Sequence, residues 1–565
     1  MKNKEIYTCS KCRTKTDLFF CPNCGTIINY PSFVGDNESR KHALSEFTRS
    51  VVDEAKKQKI DITKRVETSN VRNAFYRKYY EQIAYLQRLC QNTITKNYFA
   101  NSGVNMFDQM NAFAEKCEMG KCQIAVVGTV KAGKSMFINA LIGKEIASSY
   151  PTPETASLTK FRKSAGGDYV KISFYTSHEW NELWKSAENA SVNAVQSDDE
   201  KEDFLSLYKE LNAERFKHQF LGKNDLEIQC QSLAELKEII DRYTSARHAE
   251  HFFAKEVEVG LSDFFAPSNV VVVDTPGLDD PVPYRTNITR DYLHNANVVL
   301  LCIRSNRSEL PSTELTQLSY IFAELRHKKD RIITIGTQID EPKNMLSYWK
   351  KYTLPEYLKY LKRKSLYGSI ELALSHVFPA SAWYYLLVKK VSENSGIFKA
   401  ESEEDKKTRD DIEEVINRYF KGKSIDELVE EFNGDKIAAF DAYKTPREIF
   451  AEKQEDLLRM TQIPRIRQLI LDGPIRNAND IIMSDIKSLY LELCEEIAKL
   501  SSDVASYRKK TIDVSKSNDV LSRIKELERS IVEGKKAQRE QAELLSGLTH
   551  ELEQVSQQTI NNLKD

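Results

Sequence analysis

Residues 123–142 read QIAVVGTVKAGKSMFINALI and predict the fold of the central part of the chain. The apolar run 123–127 is typical of a buried strand. It leads into 128–135, which matches the pattern G-x4-G-K-[ST], and a helix-like segment, 136–142, follows. Strand, glycine-bounded loop and helix in this order are the context in which the pattern binds phosphate. We therefore expect an α/β domain with a phosphate-binding loop.

The residues of this loop have separate predicted roles. Gly128 and Gly133 let backbone N–H groups curl around a β-phosphate, and the next helix adds the partial positive charge of its N-terminus. Lys134 would bridge the β- and γ-phosphates, and the Ser135 hydroxyl would bind Mg²⁺. The predicted nucleotide-binding residues of the loop are Gly128, Thr129, Val130, Lys131, Ala132, Gly133, Lys134, Ser135 and Met136.

A second apolar run, 270–273, ends in Asp274-Thr275-Pro276-Gly277. An aspartate at the carboxyl end of a strand can hold the Mg²⁺ shell. The N–H of Gly277 can bond a γ-phosphate and move when that phosphate leaves, which is how a switch works. All four residues are predicted to lie at the nucleotide, with Asp274 also a metal ligand.

Two later segments predict that the base is guanine. A third strand-like run, 331–335, leads to Thr337-Gln338-Ile339-Asp340. Asp340 could accept both N–H donors on the Watson–Crick edge of guanine, which adenine lacks. The segment with Ser381 and Ala382 could bring a backbone N–H to the guanine oxygen.

These segments follow the order and strand-end context of the G1, G3, G4 and G5 motifs of GTPases. Residues 151–156, PTPETA, lie between the first two and look like a switch I segment. Thr155 is predicted to supply the second Mg²⁺ hydroxyl, and Thr152 and Thr159 are weaker candidates for that role.

Four cysteines near the start of the chain form two C-x2-C pairs, Cys9, Cys12, Cys21 and Cys24. Two such pairs with a short spacer suit a tetrahedral zinc ion, and four sulfur ligands leave no position for a substrate, so the metal would be structural. A disulfide cluster is the alternative, but disulfides are rare in a reducing compartment. We expect a small zinc ribbon here.

Apolar stripes at helical spacing flank the central region. One comprises Tyr79, Ile83, Leu86 and Cys90, and another Ile482, Ile486, Leu489, Leu493 and Ile497. Heptad-like steps continue at Val520, Ile524, Leu527 and Ile531, and again at Leu545, Leu548, Leu552 and Val555. Long helices are therefore predicted on both sides of the nucleotide-binding region.

Composition restricts the classes of function. The chain has 565 residues with 82 Lys+Arg and 83 Asp+Glu, which gives a net charge of -1. This balance argues against a surface built for nucleic acid as a whole. The start lacks the apolar core of a signal peptide, and no run reaches the roughly 18 apolar residues that span a bilayer. We expect a cytoplasmic protein whose association with a membrane, if it has one, is peripheral.

The stretches VVGTVKAGKSMFINALIG, PTPETA, VVVVDTPGLDDP, TQID and VFPASA together resemble the dynamin superfamily, and within it the bacterial dynamin-like GTPases, with the LeoA type a closer candidate. The resemblance covers roughly 120–475. It implies GTP and GDP as ligands, with Mg²⁺, and helices before and after the G domain that pack together as a neck or stalk. It also implies oligomerisation with itself or with a sister dynamin.

Three positions depart from the family pattern, two in the loop and one in the segment predicted to read the base. Eukaryotic dynamins place a water-orienting Gln and a cation-holding Ser where this chain has Val130 and Lys131. We hypothesise that the Lys131 ammonium replaces the monovalent cation; a solvent-facing or ion-paired lysine is the alternative. Gln338 stands where a Lys usually packs on guanine. The residues predicted to act in catalysis are Lys131, Lys134, Ser135, Thr155 and Gly277.

The predicted domains are a zinc ribbon at 1–32, N-terminal helices at 37–118, a G domain at 119–475 with a helical insertion at about 177–255, and a C-terminal helical arm at 476–565. The leading function is a GTPase that couples nucleotide-dependent G-domain dimerisation to movement of a helical stalk, in membrane remodelling or in processes related to vesicles or secretion. The alternatives are a regulatory GTPase that acts on RNA, ribosomes or a protein partner through the ribbon, and a nucleotide-binding switch without useful turnover.

Overall fold

A nine-stranded sheet organises the central part of this computed structural model. The described residues are 6–31, 34–62, 71, 74–90, 106–147, 158–194, 204–278, 289, 292–293, 296–306, 316, 319–322, 329–340, 345–363, 366–399, 402–420, 424–433, 435–512 and 529. A separate antiparallel hairpin consists of β1 (Tyr7–Thr8) and β2 (Lys15–Thr16). The strands of the sheet are β3 (Cys122–Gly128), β4 (Leu158–Lys163), β5 (Asp168–Phe174), β6 (Leu226–Cys230), β7 (Ala254–Leu261), β8 (Val270–Asp274), β9 (Val298–Arg304), β10 (Ile332–Thr337) and β11 (Val377–Pro379).

The strands of the sheet follow the order β11-β10-β9-β3-β8-β4-β7-β5-β6. Neighbours run parallel from β11 to β8, and β4 is also parallel to β7. The remaining pairs, β8 with β4, β7 with β5 and β5 with β6, are antiparallel. The predicted α/β fold with a mostly parallel sheet is therefore confirmed.

The centre of the sheet consists of strands whose residues are buried almost throughout. Every residue of β8 is buried, and β3 and β9 each have a buried run of at least five. Strands covered on both faces read as continuous apolar runs. This is why the runs at 123–127 and 270–273 predicted strands without ambiguity.

Helices account for most of the remaining described chain. They are α1 (Glu38–Gln58), α2 (Ala74–Cys90), α3 (Met106–Met119), α4 (Lys134–Ile142), α5 (Ser177–Ala194), α6 (Phe204–Glu210), α7 (Lys217–Phe220), α8 (Leu233–Thr244), α9 (Met345–Tyr348), α10 (Leu354–Arg363), α11 (Ile370–His376), α12 (Ala382–Glu393), α13 (Glu403–Tyr419), α14 (Ile425–Glu431), α15 (Lys436–Ala442), α16 (Pro446–Met460), α17 (Ile463–Ile470) and α18 (Ala478–Ile512). Short 3₁₀ segments are at Ala213–Phe216, Ala249–Phe252, Lys329–Arg331 and Ser395–Lys399, and π-helical turns are at Trp349–Thr353 and Leu471–Ile475.

The segment 177–255 contains more than helices. Helices α5 to α8 lie in it, but β6 lies there too and pairs with β5 at the end of the sheet. Aromatic rings fill the interior of this segment: Trp180 is 1% exposed, and its ring centroid lies 5.0 Å from that of Phe253. The segment is thus an extension of the sheet with its own aromatic core, which the helical pattern alone did not predict.

The chain divides into two compact units, 1–120 with 483–565, and 121–482. In the first unit, the ring of Tyr490 on α18 lies 4.5 Å from Tyr79 on α2 and 6.2 Å from Phe113 on α3. Ile83 and Leu86 of the predicted stripe are buried, as are Ile486, Leu493 and Ile497. The predicted stripes that begin at Val520 and Leu545 lie outside the described residues.

The apolar run 383–387 of the second unit is mostly buried. Tyr384 to Leu387 are buried in α12, so this apolar patch belongs to the core, while Trp383 is 38% exposed. None of the described helices combines the length and apolar character needed to cross a bilayer.

Candidate nucleotide-binding site

The candidate site lies at one edge of the sheet. The parallel strands β3, β8, β10 and β11 all end there, and each is followed by one of the segments predicted to contact the nucleotide. Ligands of open α/β sheets bind in the crevice outside the carboxyl ends of the strands. The topology therefore brings four separate predicted segments to the same edge.

The phosphate-binding loop requires its glycines for different reasons. Gly133 has φ of 78°, a left-handed conformation that glycine adopts at no steric cost. A Cβ on Gly128 would lie 2.4 Å from the carbonyl oxygen of Cys302 on β9. Lys131 also has a positive φ, of 62°, without being glycine. The pattern thus reflects both backbone conformation and close packing.

Lys134 is buried inside its own loop. The side chain is only 7% exposed, and Nζ donates to the carbonyl oxygen of Thr129 at 2.9 Å and to that of Gly128 at 3.4 Å. A buried ammonium must be hydrogen-bonded, and here loop carbonyls satisfy it. Met136 follows in the first turn of α4 and is half-buried.

Ser135 and Asp274 meet although they are far apart in sequence. The Ser135 hydroxyl donates to Asp274 Oδ2 at 2.8 Å. Asp274 is 2% exposed, and burial raises its pKa to about 6, against the opposing effects of the Lys134 charge and the Ser135 bond. Its second oxygen, Oδ1, is buried and accepts no hydrogen bond from the described residues.

A divalent cation fits this pair. Mg²⁺ prefers oxygen ligands, and a hydroxyl and a carboxylate with one unsatisfied buried oxygen supply them. A cation would also offset the cost of keeping the Asp274 carboxylate buried and charged. Ser135 and Asp274 are the residues that would hold it.

The segment after Asp274 is fastened to β3. Thr275 Oγ1 donates to the carbonyl oxygen of Val126 at 3.0 Å, and the N–H of Leu278 donates to that of Gly128 at 3.2 Å. Thr289 Oγ1 donates to the carbonyl oxygen of Pro276 at 3.1 Å. Gly277, the predicted γ-phosphate donor, is buried between these contacts.

The segment after β10 is fastened to the phosphate-binding loop. Thr337 Oγ1 donates to the carbonyl oxygen of Ala132 at 2.6 Å, and Gln338 Nε2 donates to that of Lys131 at 3.0 Å. Gln338 has φ of 57°, and Asp340, which follows the turn, is half-buried. The segment predicted to read the base therefore directly supports the segment predicted to hold the phosphates.

Ser381 begins helix α12. Its Oγ accepts a hydrogen bond from the N–H of Tyr384 at 3.3 Å, an N-cap, and its own N–H donates to the carbonyl oxygen of Thr461 at 3.1 Å. The N–H of Ser381 is therefore engaged within the fold. This leaves Ala382 as the better of the two predicted donors to guanine.

The predicted switch I residues are only partly described. Thr155 and Thr152 lie outside the described residues. Thr159 lies in β4, is 4% exposed, and pairs with Asp274 in the antiparallel register. Lys131 is exposed and forms no ion pair with the residues that the structure describes.

Asn139 on α4 is a site residue that the sequence analysis missed. It is fully buried; its Oδ1 accepts from the N–H groups of Ile146 and Ala147 at 2.9 and 2.7 Å, and its Nδ2 donates to the Ala147 carbonyl at 2.8 Å. Asn139 thereby fixes the start of the segment that leads to the predicted switch I. A lone amide inside the apolar run FINALI is the signal that could have found it.

The four N-terminal cysteines also meet. Their sulfur atoms all lie within 4.8 Å of one another, with Cys9 to Cys24 at 3.6 Å and Cys12 to Cys21 at 3.3 Å. These separations exclude disulfide bonds, which hold sulfur atoms about 2.05 Å apart, and are near the ~3.8 Å expected around tetrahedral zinc.

Two similar turns build the cysteine cluster. The N–H of Arg13 donates to the Cys9 carbonyl at 3.0 Å, and the N–H of Gly25 donates to the Cys21 carbonyl at 2.8 Å. Hydrogen bonds from the hydroxyl and the backbone of Thr14 lower the pKa of Cys12 to about 6, whereas burial raises the pKa of Cys21 to about 12. The cluster fits a zinc ion because four sulfur ligands already surround one point.

Comparison with known proteins identifies a relationship over the candidate site. Residues 124–339 match the sequence profile of the Dynamin family. Dynamin-like protein 1 of Campylobacter jejuni is 31% identical over 206 residues, which are 36% of this chain and 26% of that protein. Dynamin-like protein A of Bacillus subtilis is 26% identical over 219 residues, 34% of this chain and 17% of that protein.

This chain spans about a quarter or less of the length of those curated relatives. Among solved structures, a chain described under "An oligomerised bacterial dynamin pair provides a mechanism for the long range sensing and tethering of membranes" is 16% identical. It aligns over 89% of this chain and 86% of its own length, with a TM-score of 0.34.

Proposed function

We propose that this chain, whose residues 124–339 form a G domain of the dynamin family, binds and hydrolyses GTP. The observation that carries the proposal is the contact of Ser135 with Asp274 at 2.8 Å, beside the buried Lys134. A hydroxyl, a carboxylate and an ammonium at the edge of a parallel sheet are the groups that hold Mg²⁺ and the phosphates of a nucleotide.

The loop residues would act on the phosphates. Lys134 would exchange its bonds to the carbonyls of Thr129 and Gly128 for bonds to phosphate oxygens, and the N–H groups of the loop would point at the same oxygens. Mg²⁺, held by Ser135 and Asp274, would neutralise charge that develops on the β- and γ-phosphates. Thr155 remains our proposal for the second hydroxyl ligand of Mg²⁺, and Gly277 for the γ-phosphate sensor.

Guanine selectivity would come from the segments after β10 and β11. The carboxylate of Asp340 would accept the two N–H donors of guanine, and Gln338 would pack on its face with its amide tied to the Lys131 carbonyl. The N–H of Ala382 would donate to the guanine oxygen. Adenine, which presents the opposite pattern of donors and acceptors, would be rejected.

Lys131 is our proposed substitute for a monovalent cation. Lys131 lies in the loop two residues before Gly133 and has a positive φ of 62°. Its side chain is exposed and has no ion-pair partner within the described chain, so the ammonium is available to contact the phosphates. We expect Lys131→Ala to lower GTP turnover at saturating GTP in both Na⁺ and K⁺ buffers. Unchanged turnover in both buffers would discard this role.

The helical arms are proposed to transmit the state of the nucleotide. Nucleotide-dependent pairing of G domains, in a homo-oligomer or with a sister dynamin, would move the arms on a membrane or a partner protein. The support is the match to the Dynamin family over 124–339, together with the joining of 1–120 and 483–565 in one compact unit. Any membrane contact would be peripheral.

The N-terminal cluster is proposed to hold a structural zinc ion. The ion would be bound by Cys9, Cys12, Cys21 and Cys24 and would take no part in hydrolysis, because four sulfur ligands close its coordination sphere.

The test is GTP turnover measured as a function of protein concentration. Specific activity that rises with concentration supports hydrolysis coupled to pairing, whereas constant specific activity supports hydrolysis alone. Nucleotide binding without turnover at any concentration would leave a switch and refute the proposed hydrolysis. Ser135→Ala is the matched inactive control, because it removes the hydroxyl that contacts Asp274.

A second candidate function is regulation of RNA or ribosomes through the ribbon. It is favoured by one observation: Lys11, Arg13 and Lys15 are all exposed around the cysteine cluster. Co-sedimentation with liposomes and with RNA, each with and without a GTP analogue, separates the two. Nucleotide-dependent RNA binding without lipid binding would favour this second function.

A further inference from the structure

An arginine outside the predicted motifs contacts the guanine-reading segment. Arg418 lies in the last turn of α13, and its Nη1 donates to the carbonyl oxygen of Asp340 at 3.2 Å and to the hydroxyl of Tyr384 at 3.0 Å. Its Nη2 donates to Glu414 Oε1, one helical turn earlier, at 2.7 Å. Among the described residues, this guanidinium thus bonds to two site segments and to its own helix.

The two contacts join the segments that are proposed to read the base. Asp340 follows β10, whereas Tyr384 lies on α12 in the turn that Ser381 caps. The Tyr384 hydroxyl also lies 3.5 Å from the Asp340 carbonyl oxygen. One guanidinium therefore fixes the carbonyl of Asp340 relative to the beginning of α12, where Ala382 lies.

The contact between Arg418 and Tyr384 is largely shielded from solvent. Tyr384 is 3% exposed, and the Arg418 side chain is 28% exposed. Burial raises the pKa of Tyr384, so its hydroxyl keeps its proton at neutral pH. Glu414 holds the other side of the planar guanidinium, which leaves the Nη1 donors with a set direction.

We propose that Arg418 is a positioning residue for guanine recognition: through the carbonyl of Asp340 and the hydroxyl of Tyr384 it sets where the Asp340 carboxylate meets the base. This inference rests on the proposed binding of a guanine nucleotide. A carboxylate selects a base only when it is held close to the productive geometry. Arg418 does not touch the nucleotide in this proposal, so its effect should fall on base selectivity.

The experiment compares affinities for GDP and IDP, because inosine lacks the amino group that Asp340 would bind. We expect Arg418→Ala to weaken GDP binding about tenfold, the loss that one charge-assisted hydrogen bond produces, and to weaken IDP binding less. The GDP to IDP ratio, defined as the dissociation constant for IDP divided by that for GDP, should therefore fall. Arg418→Lys keeps the charge without the planar fork and should give an intermediate ratio.

Arg459→Ala is the matched control. Arg459 also lies in the last turn of its helix, α16, and pairs with a glutamate four residues earlier, Glu455, at 3.2 Å, but it is 75% exposed. The control should leave the GDP to IDP ratio unchanged. Tyr384→Phe removes one of the two contacts and should lower the ratio by part of the Arg418→Ala effect.

The outcomes separate this inference from the proposed function. A wild-type chain without preference for GDP over ADP would refute guanine binding itself. A wild-type chain with that preference, but with an unchanged GDP to IDP ratio in Arg418→Ala, would overturn the role of Arg418, even if the melting temperature falls. If Arg418→Ala does not fold, unchanged ratios in both Arg418→Lys and Tyr384→Phe overturn it.

Discussion

At the scale of single residues, Asp274 has two opposed requirements. Its carboxylate is 2% exposed and has one oxygen without a hydrogen bond from the described residues, so ionisation is costly in the metal-free protein. The same unsatisfied oxygen makes it a strong ligand for a cation. A site that destabilises the metal-free protein in order to bind its ligand is a common property of functional residues.

The raised pKa of Asp274 gives the sign of a stability effect. Because the folded carboxyl has a pKa of about 6 against the ordinary aspartate value of 3.8, the folded state binds more protons, and stability falls as pH rises from about 4 to 6. We expect Asp274→Asn to stabilise the Mg²⁺-free, nucleotide-free protein at pH 7 by up to about 3 kcal/mol. Urea unfolding at pH 7 and at pH 4 would measure this.

The pH dependence and the metal provide the controls for that prediction. The gain should shrink at pH 4, because the folded wild-type carboxyl is then protonated and the unfolded one, with its ordinary pKa of 3.8, is nearly half protonated. Mg²⁺ with GDP should stabilise the wild type and should have much less effect on the variant. Equal stability of the two proteins at pH 7 would show that burial of the ionised Asp274 carboxylate does not destabilise the folded protein.

Asp340 gives a prediction about specificity. Asn in place of Asp340 would present an N–H₂ donor where guanine also presents a donor, and would instead match the oxygen of xanthine. We expect Asp340→Asn to lose at least about tenfold in GTP affinity and to gain for XTP. Competition of both nucleotides for a fluorescent GDP analogue would measure it, and retained preference for GTP would move the base-reading role to another residue.

Sequence patterns predicted some of these residues and could not predict others. Gly133, Lys134 and Ser135 form a contiguous pattern, so they could be recognised from residue types and spacing alone. Asn139 and Arg418 act through bonds to backbone atoms that are close only in the folded chain. The only sequence signal of Asn139 is a lone amide inside an apolar run, and nothing in its sequence neighbourhood distinguishes Arg418 from a surface arginine.

At the scale of elements, burial explains which strands could be predicted. β3 and β8 are covered on both faces and read as apolar runs, whereas β5 and β6 alternate with polar residues and lie at the end of the sheet. In a short segment, the spacing of apolar residues does not distinguish a strand from part of a helix. Because β6 is short and lies between amphipathic helices, its region was predicted to be helical. The order of the strands depends on pairing between distant segments, which local patterns do not encode.

The ribbon packs against α1, and this contact, called the joint below, can be tested by substitution of one glycine. A Cβ on Gly25 would lie 2.5 Å from Cα of Arg49 on α1, and Lys56, near the end of the same helix, donates to Asn23. We expect Gly25→Ala to separate the ribbon from α1 without loss of the zinc ion proposed for the cysteine cluster. Hydrogen exchange should then increase in residues 44–52, while the zinc content measured by mass spectrometry stays at one ion per chain.

Gly35→Ala is the matched control for this joint. Gly35 also has a positive φ, of 55°, but a Cβ there would have no atom within 4 Å. Both variants carry the cost of a left-handed alanine, of the order of 1 kcal/mol, so the difference between them measures the contact with α1. The same increase in exchange in both variants would show that backbone strain, and not the contact with α1, produces it.

At the scale of the whole molecule, the chain passes between its two units at only two peptide bonds. The first follows Gly120, which has φ of 53°, and the second lies within α18, between Ile482 and Met483. Composition alone could not show this, because the first unit is assembled from both ends of the sequence.

The continuity of α18 across this boundary leads to a prediction about coupling. Ile482 and Ile486 are fully buried, so the helix is anchored on each side of the boundary. If α18 carries the state of the nucleotide, binding of a GTP analogue to the wild type should change hydrogen exchange in residues 483–512. Met483→Pro removes a helical hydrogen bond and clashes with the preceding turn, at a local cost of about 3 kcal/mol.

We expect Met483→Pro to keep the wild-type affinity for GTP within about twofold, because the residues proposed to bind the nucleotide all lie in 121–482, and to lose the exchange response of 483–512. Met483→Ala, which keeps the helix, should behave as the wild type. A response that persists in the proline variant would mean that the signal bypasses α18. Loss of GTP affinity in the proline variant would mean that the start of α18 is needed for the stability of residues 121–482 themselves.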